Sequence, residues 1–170
     1  SGEVLAMCSY PSFKPEVFIG TLENDVWQDI RDNDKLFNNA VQSSNAPGST
    51  FKPLTAIAGM EEGIITSTSH IYTEGIFTKV TPSPKCWYYP RAHGSINVTK
   101  AIQVSCNCFF YEIGYSLACK GTGIYNEAKG LETLEKYGEM VGLTERSGVE
   151  VEEYSPLFSD TNPIASSIGQ

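Results

Sequence analysis

Ser49 and Lys52 are the two residues whose types and spacing best fit nucleophilic chemistry. On a helix, residues three apart share a face, so the Lys52 nitrogen can reach the Ser49 oxygen. A serine hydroxyl is a weak nucleophile until a neighbouring base accepts its proton. A lysine can be that base when burial of its head group lowers its pKa. At a helix start the Ser49 backbone N–H would also point outward, where it could stabilise an oxyanion.

The spacing S-x-x-K is weak evidence by itself. The chain has 17 Ser and 9 Lys, so about one match is expected by chance. On these letters alone, a helix N-cap followed by a surface lysine is the better explanation. The longer string Pro47–Pro53 favours chemistry, because a rigid turn and a proline-braced first helical turn present one hydroxyl at a fixed angle.

Ser105 and Asn107 form a second candidate group, placed between two predicted helices where side chains can point into a cleft. A hydroxyl there could relay a proton, and the Asn107 amide could both donate to and accept from a substrate peptide bond. The same S-x-N spacing occurs at Ser43–Asn45 and Ser95–Asn97, although about one match is expected by chance. From spacing alone, a helix cap remains an equal alternative for Asn107.

The composition indicates an acidic globular protein. Apolar residues make up 41% and charged residues 19%, and the net charge is −8. We therefore expect no nucleic-acid partner, because an acidic chain binds a phosphate backbone poorly. No run approaches the roughly 20 apolar residues that span a bilayer, and no signal peptide opens the sequence. Residues 75–120 carry five cations and one acid. Such runs are usually solvated faces, although this local excess could favour an anionic ligand.

Five cysteines and two histidines offer other chemistry. Cys106 and Cys108 form C-x-C, whereas zinc sites favour C-x₂₋₄-C pairs. We therefore expect no metal and interpret the cysteines as small buried hydrophobes. A Ser-His-Asp triad would need His70 or His93 near Ser49, and a structural hydrogen bond is the favoured role for His93.

Turn and helix signals predict the elements that must position these residues. Ser49 is expected to be the N-cap of its helix, with Pro53 in the first turn and Gly63 after the last. Asn97 is expected to cap the helix before Ser105, and Lys120-Gly121 to end the helix after it. The predicted elements are a strand within residues 1–10 (over 2–8), irregular chain over 11–48 with a short helix near 26–37, a nucleophile helix over 49–62, a loop over 63–96, helices within 97–141 (97–104, 108–118 and 125–141), and an irregular tail over 142–170.

Longer strings around these residues resemble the transpeptidase domain of penicillin-binding proteins. The S-x-x-K and S-x-N pair belongs to the signature of that superfamily. The lead-in Ala46-Pro47-Gly48 and the string Met7–Phe13 look more like the monofunctional class B branch than the bifunctional class A. The other strings that carry the resemblance are Gly2–Met7, Pro47–Pro53, His93-Gly94, Ser105–Gly114 and Ser166–Gln170.

The resemblance implies a role for each candidate residue. Ser49 would be the acylated nucleophile and Lys52 the general base for acylation, an assignment that is disputed across the superfamily. Ser105 would relay the proton to the leaving amine, and Asn107 would hold the amide of the acyl donor. The donor would be a peptidoglycan stem peptide ending in D-Ala-D-Ala, and the acceptor an amine on a neighbouring stem. β-Lactam antibiotics would acylate the same serine.

The implied fold class is α+β, with this chain as the mostly helical part, one N-terminal strand and the main sheet largely missing. The third family motif, Lys-Thr/Ser-Gly on a strand, has no match. Lys120–Gly123 has the wrong order and follows a helix, so we expect a C-cap loop there. In the family, the strand that bears this motif supplies the second oxyanion N–H, and losing one oxyanion donor costs roughly a hundred- to a thousand-fold in rate. We therefore expect a fragment of a larger enzyme.

Two alternatives to a transpeptidase remain open: a serine β-lactamase or β-lactam sensor, and a non-catalytic structural fragment. A class A β-lactamase needs a deacylating glutamate, for which Glu112 and Glu74 are candidates only by elimination. The resemblance implies no cofactor. It implies a cell-wall glycosyltransferase as a partner of the parent protein, and an N-terminal helix that tethers the parent to the outer face of the bacterial cytoplasmic membrane.

Overall fold

The computed structural model describes residues 3–170. The chain divides into two compact units, one formed by residues up to 45 together with 146–156, and the other by residues 46–145 together with 157–170. All four candidate site residues belong to the second unit. Across the described residues, no helix has the length and apolar character needed to cross a membrane.

The first unit contains a 3₁₀ helix at Pro15–Phe18 and the α-helix α1 at Asn24–Asp32. Helix α1 confirms that a short helix lies in this region, and Ile30 on it is buried. Residues 146–156 join the unit through the Tyr154 backbone N–H, which donates to the Val41 carbonyl at 3.0 Å.

The strand predicted over residues 2–8 is not formed in residues 3–8, and Gly2 lies outside the described residues. The side chains there are exposed, with Leu5 at 92%. Within the described part of the chain, no backbone hydrogen bond pairs residues 3–8 with a partner strand. An isolated strand is not stable, so the apolar pattern Val4–Met7 does not become a strand here.

The second unit is mostly helical with a small antiparallel sheet, so the predicted α+β class is confirmed. Helix α2 carries Pro53 in its first turn and is followed by Gly63 at φ +72°, as predicted. The elements of the unit are a 3₁₀ helix at Gly48–Phe51, α2 at Lys52–Glu61, β1 at Ile71–Thr73, β2 at Gly94–Ile96, α3 at Val98–Gln103, α4 at Asn107–Cys119, α5 at Glu127–Met140 and α6 at Pro163–Ser166.

Local signals explain the helices that the sequence predicted. The Asn97 side chain caps α3 by accepting from the Lys100 N–H at 3.0 Å. The Asn126 side chain caps α5 in the same way, accepting from the Lys129 N–H at 3.2 Å. Helix α4 ends at Cys119 before Gly121, whose φ of +85° suits glycine at a helix end.

Two predictions about loops are wrong. Residues 63–96 contain β1 and β2, which pair Ile71 with Ile96 and Thr73 with Gly94. Strands of three residues are too short to show an alternating pattern, and their pairing is non-local. The tail over 142–170 contains α6, whose cap Asn162 accepts from the Ala165 N–H at 3.1 Å.

Helix α4 is the centre of the core. Phe109, Phe110 and Ile113 on this helix are each 0% exposed. Gly114 lets α4 approach α6 closely, since a Cβ at this position would lie 2.6 Å from the Pro163 carbonyl oxygen. Packing along the whole of helix α4 therefore sets the position of its first turn.

Glu62 ties the end of α2 to two other helices. Its carboxylate accepts from Lys120, from Lys136 Nζ at 3.0 Å and from Tyr137 Oη at 2.9 Å. Hydrogen bonds lower the pKa of Glu62 from its ordinary 4.5 to about 2, with the largest contribution from Lys120 and smaller ones from Lys136 and Tyr137. A lowered pKa in the folded state means that this carboxylate stabilises the fold above pH 4.5.

We expect Glu62→Gln to lower the free energy of unfolding by about 1 kcal/mol, a fall in Tm of about 2–4 °C at neutral pH. The deficit should shrink as the pH falls from 4.5 toward 2, because protonation of Glu62 removes the same stabilisation from the wild type. Thermal unfolding followed by circular dichroism measures both effects. Glu61→Gln is the matched control, since Glu61 is exposed and forms no ion pair within residues 3–170. A deficit that stays constant with pH would contradict this account.

Candidate active site

Ser49 lies on an exposed 3₁₀ turn held from both sides. Gly48 begins the turn at φ +59°, and its N–H donates to the Gly169 carbonyl at 2.9 Å. Thr50 Oγ1 donates to the Pro47 carbonyl at 2.7 Å. The prediction that Ser49 is an N-cap is wrong, because its hydroxyl bonds to Ser105 instead of a helix N–H. The turn leaves Ser49 exposed, with its hydroxyl in contact with Ser105.

Lys52 is the first residue of α2 and is only 1% exposed. Its ammonium nitrogen donates to the Ser105 carbonyl at 3.0 Å, to Ser105 Oγ at 2.9 Å and to Asn107 Oδ1 at 2.6 Å. Burial lowers the pKa of Lys52 below its ordinary value, and the neighbouring Cys86, whose own pKa is lowered, opposes that shift. A lysine that serves as a base needs a buried head group, and Lys52 has one.

Ser105 stands between the other two polar side chains. Its Oγ lies 2.8 Å from Ser49 Oγ and 2.9 Å from Lys52 Nζ. Within the described residues no direct hydrogen bond joins Ser49 to Lys52, so the expected direct contact is replaced by one through Ser105. Ser105 adopts φ +50°, a left-handed conformation that is uncommon for residues other than glycine.

Asn107 opens α4 and is not its cap, since Cys106 holds the N-cap position. Its Oδ1 accepts from Lys52, which leaves the amide N–H groups as the donors that a ligand could use. The Asn107 backbone N–H donates to Cys86 Sγ at 3.3 Å. This bond fixes the start of α4 relative to the loop before β2.

A group of thiols lies behind Ser105. Cys86, Cys106 and Cys108 are buried, as predicted for small hydrophobic side chains, whereas Cys119 is half-buried and the prediction is wrong for Cys8, which is exposed. Hydrogen bonds from the Cys106 and Cys108 thiols lower the pKa of Cys86, and the same bond to Cys86 raises the pKa of each partner. Donor atoms of Cys86, His93 and Cys106 lie within 4.8 Å of one another, and thiolate and imidazole are ligands that zinc prefers. Sequence spacing missed this convergence because the three residues come from separate segments.

The other titratable candidates lie outside the hydrogen-bonded group of Ser49, Lys52, Ser105 and Asn107. His70 Nδ1 contacts the Thr68 carbonyl at 2.9 Å. Glu112 pairs with Lys79 at 2.5 Å. Among the described residues, neither histidine and neither Glu74 nor Glu112 hydrogen-bonds to that group. Lys120 follows α4 as the predicted C-cap, and its ammonium pairs with Glu62.

Trp87 is a neighbour of the site that the sequence motifs do not indicate. Its indole Nε1–H donates to the carbonyls of Val104 at 3.1 Å and Ser105 at 3.0 Å. A tryptophan in a long loop carries no local signal that predicts such a contact. Only the folding of that loop against the end of α3 brings the two segments together.

The group provides a continuous hydrogen-bonded path from an exposed hydroxyl to a buried amine. The path runs from Ser49 through Ser105 to Lys52. Such a path can carry a proton away from an attacking hydroxyl, and it needs neither a histidine nor a metal ion to do so.

Comparison with known proteins gives the family. The chain matches the model of the penicillin binding protein transpeptidase domain over residues 1–169. The peptidoglycan D,D-transpeptidase MrdA of Acinetobacter baumannii is 30% identical over 154 residues, which cover 89% of this chain and 21% of that protein. The chain therefore spans about a fifth of the length of this curated relative.

Two solved structures show the same fold. One is the complex between the penicillin-binding protein PBP2 and MreC from Helicobacter pylori, with a TM-score of 0.84, 25% identity, and coverage of 99% of this chain and 32% of that chain. The other is the penicillin G acyl-enzyme complex of penicillin-binding protein A from M. tuberculosis, with a TM-score of 0.74, 25% identity, and coverage of 99% and 39%. The relatives are class B penicillin-binding proteins. Because the family model matches residues 1–169, this chain belongs to the penicillin-binding protein transpeptidase family.

Proposed function

We propose that this chain carries the acyl-serine core of a D,D-transpeptidase, which cross-links peptidoglycan stem peptides ending in D-Ala-D-Ala and is a target of β-lactam antibiotics. The observation that carries the proposal is the buried Lys52 amine, linked through Ser105 to the exposed Ser49 hydroxyl. The family supports the reaction type. The acyl-enzyme described for the mycobacterial neighbour supports a covalent intermediate.

Acylation begins with neutral Lys52 in this proposal. A neutral amine has two hydrogens and a lone pair, so it donates to the Ser105 carbonyl and Asn107 Oδ1 and accepts from the Ser105 hydroxyl. Ser105 in turn accepts the proton of Ser49 across 2.8 Å. As the Ser49 oxygen attacks the D-Ala-D-Ala carbonyl carbon, its proton moves through Ser105 to Lys52.

The tetrahedral intermediate then collapses toward the acyl-enzyme. The Ser49 backbone N–H, which donates to no protein acceptor within residues 3–170, stabilises the oxyanion. Lys52 returns the proton through Ser105 to the leaving nitrogen, and terminal D-Ala departs as a free amine. The amide nitrogen of Asn107 donates to the backbone of the bound donor peptide, since Asn107 Oδ1 is held by Lys52.

Transfer runs the same steps in reverse with a new amine. An amine on a neighbouring stem attacks the acyl carbon, and its proton passes through Ser105 to Lys52. The Ser49–acyl bond breaks, Ser49 regains a proton, and the new peptide bond joins the two stems. The electron pairs and protons balance without a redox partner or cofactor.

The setting of the parent protein is part of the proposal. The relatives act in bacterial cell-wall synthesis by name, which supports a parent at the extracytoplasmic face of the cytoplasmic membrane. The complex of the Helicobacter neighbour with MreC supports protein partners in a cell-wall machine. A membrane tether and a glycosyltransferase partner belong to the same proposal for the parent protein.

We expect the wild-type chain to form a covalent adduct with a fluorescent penicillin that lasts for hours, and Ser49→Ala to form none. Gel fluorescence and intact-protein mass spectrometry measure the adduct, and peptide mapping places it. Ser95→Ala is the matched control, because Ser95 is exposed and belongs to the same S-x-N spacing in a strand.

Each other outcome selects an alternative. Rapid release of the opened drug would replace the transpeptidase with a serine β-lactamase. A folded chain, verified by circular dichroism, that takes up no penicillin would indicate a non-catalytic role for this chain. An adduct that maps to a residue other than Ser49 would remove the assigned nucleophile.

Lys52→Ala should slow acylation by about a hundred-fold or more, the size of a lost general base. The helix should persist, since alanine is the better helix former. Lys100→Ala is the control, because Lys100 is exposed on α3 and, within residues 3–170, its ammonium bonds only to Gln103. Stopped-flow acylation measures the rates, and an unchanged rate in Lys52→Ala would exclude Lys52 as the base.

The acylation rate of the wild type should rise with pH, reach half of its maximum at the pKa of Lys52 and level off above it. The base acts only when neutral, so its fraction grows as the pH increases through that pKa. Burial lowers this pKa, and the midpoint of the rise should therefore lie below the ordinary lysine value of 10.5. A rate that falls over this range while the protein stays folded would contradict the proposed protonation state.

A further inference from the structure

Trp87 is both exposed and hydrogen-bonded at the point where α3 gives way to the S-x-N segment. Trp87 is 61% exposed, yet its indole Nε1–H is shared between two backbone carbonyls, those of Val104 and Ser105. These carbonyls follow the last turn of α3, where helix geometry supplies no intrahelical partner. The indole therefore acts as a side-chain cap for this helix end.

The carbonyl that Trp87 binds belongs to a residue in a costly backbone conformation. Ser105 has φ +50°, and a non-glycine residue in the left-handed region persists only when its surroundings hold it there. The surroundings provide two donors to the same oxygen, Trp87 Nε1 and Lys52 Nζ, each at 3.0 Å.

Orientation of the Ser105 side chain depends on that backbone conformation. With the carbonyl directed toward Trp87 and Lys52, the Ser105 hydroxyl lies 2.8 Å from Ser49 Oγ and 2.9 Å from Lys52 Nζ. If the residue relaxed to a right-handed or extended conformation, its Cβ would swing away and both contacts would lengthen. Lys52 donates to this carbonyl in both of its protonation states, and Trp87 supplies a second donor that carries no titratable proton in this range.

Trp87 is itself held in place. Its ring packs against the rings of Tyr88 and His93, with centroids 5.2 and 5.7 Å apart. The preceding residue, Cys86, accepts the Asn107 backbone N–H at 3.3 Å. Two consecutive loop residues thus bind the backbone on both sides of Cys106. Trp87 and Ser105 also both line a cavity of about 680 Å³.

We infer that Trp87 is a positioning residue, whose indole N–H holds Ser105 in the left-handed conformation that lets its hydroxyl bridge Ser49 and Lys52. The inference rests on the proposed function for its effect on rate, and goes beyond it by naming a residue outside the S-x-x-K and S-x-N motifs. Trp87 transfers no proton. Its loss should therefore slow acylation without weakening the preceding non-covalent binding of the drug.

The test removes the indole N–H of Trp87 and keeps the shape of its ring. The chain has two tryptophans, Trp27 and Trp87. A Trp27→Phe background leaves Trp87 as the single site for biosynthetic incorporation of analogues. Benzothienylalanine has the shape of tryptophan with sulfur in place of N–H, and 5-fluorotryptophan keeps the N–H as a matched control. Trp27 lies on α1 and its indole makes no hydrogen bond within the described residues.

Acylation kinetics give the first readout. We expect the acylation constant to fall about three- to ten-fold in the benzothienyl protein, the effect of one lost hydrogen bond, with the non-covalent dissociation constant unchanged. The fluorotryptophan protein and the Trp27→Phe background should match the wild type. An unchanged acylation constant in the benzothienyl protein, or a change confined to the dissociation constant, would overturn the inference.

Nuclear magnetic resonance without any drug gives the second readout. The ¹³Cα and ¹³Cβ shifts of Ser105 report its backbone conformation, and we expect them to move in the benzothienyl protein but not in the fluorotryptophan protein. Unchanged shifts would overturn the inference even if penicillin labels the wild type. If the wild type takes up no penicillin, the proposed function fails, and the Ser105 shifts alone decide whether Trp87 sets this conformation.

Discussion

A buried lysine amine is the constraint on which the site depends. A charged ammonium removed from water is strongly destabilising unless acceptors replace the lost solvent. Lys52 meets that requirement with the Ser105 carbonyl, the Ser105 hydroxyl and the Asn107 side chain. All of these acceptors belong to the junction between α3 and α4, whereas Lys52 begins α2. Solvating one cation therefore fixes the two segments that carry the family motifs against each other.

The rest of the second unit supports that junction. Helix α4 is buried along its length and packs closely on α6 at Gly114. The segment after α6 then reaches the turn that bears Ser49, because the Gly48 N–H bonds to the Gly169 carbonyl and Thr55 Oγ1 bonds to the Ser167 carbonyl. An exposed nucleophile and a buried base can coexist three residues apart because the turn faces outward while the first residue of α2 faces the core.

Much of the helical framework was predictable because its signals are local. Asn97 and Asn126 are good caps, and glycine after α4 is a good stop, so these helix ends follow from neighbouring residues. The strands β1 and β2 were not predictable, because they are short and pair across more than twenty residues. The predicted N-terminal strand failed for the converse reason: its apolar pattern was present, but a strand also needs a partner.

The sequence by itself determined the residue types, the spacing of Ser49 from Lys52 and of Ser105 from Asn107, and the family to which they belong. Only the tertiary structure decided how these residues connect. Spacing along one helix suggested direct contact between Ser49 and Lys52, but the folded chain inserts Ser105 between them in a left-handed conformation. It also brought Trp87 and the Cys86 thiol against the same segment. Local sequence sets helical periodicity and caps, whereas contacts between distant segments depend on how the whole core packs.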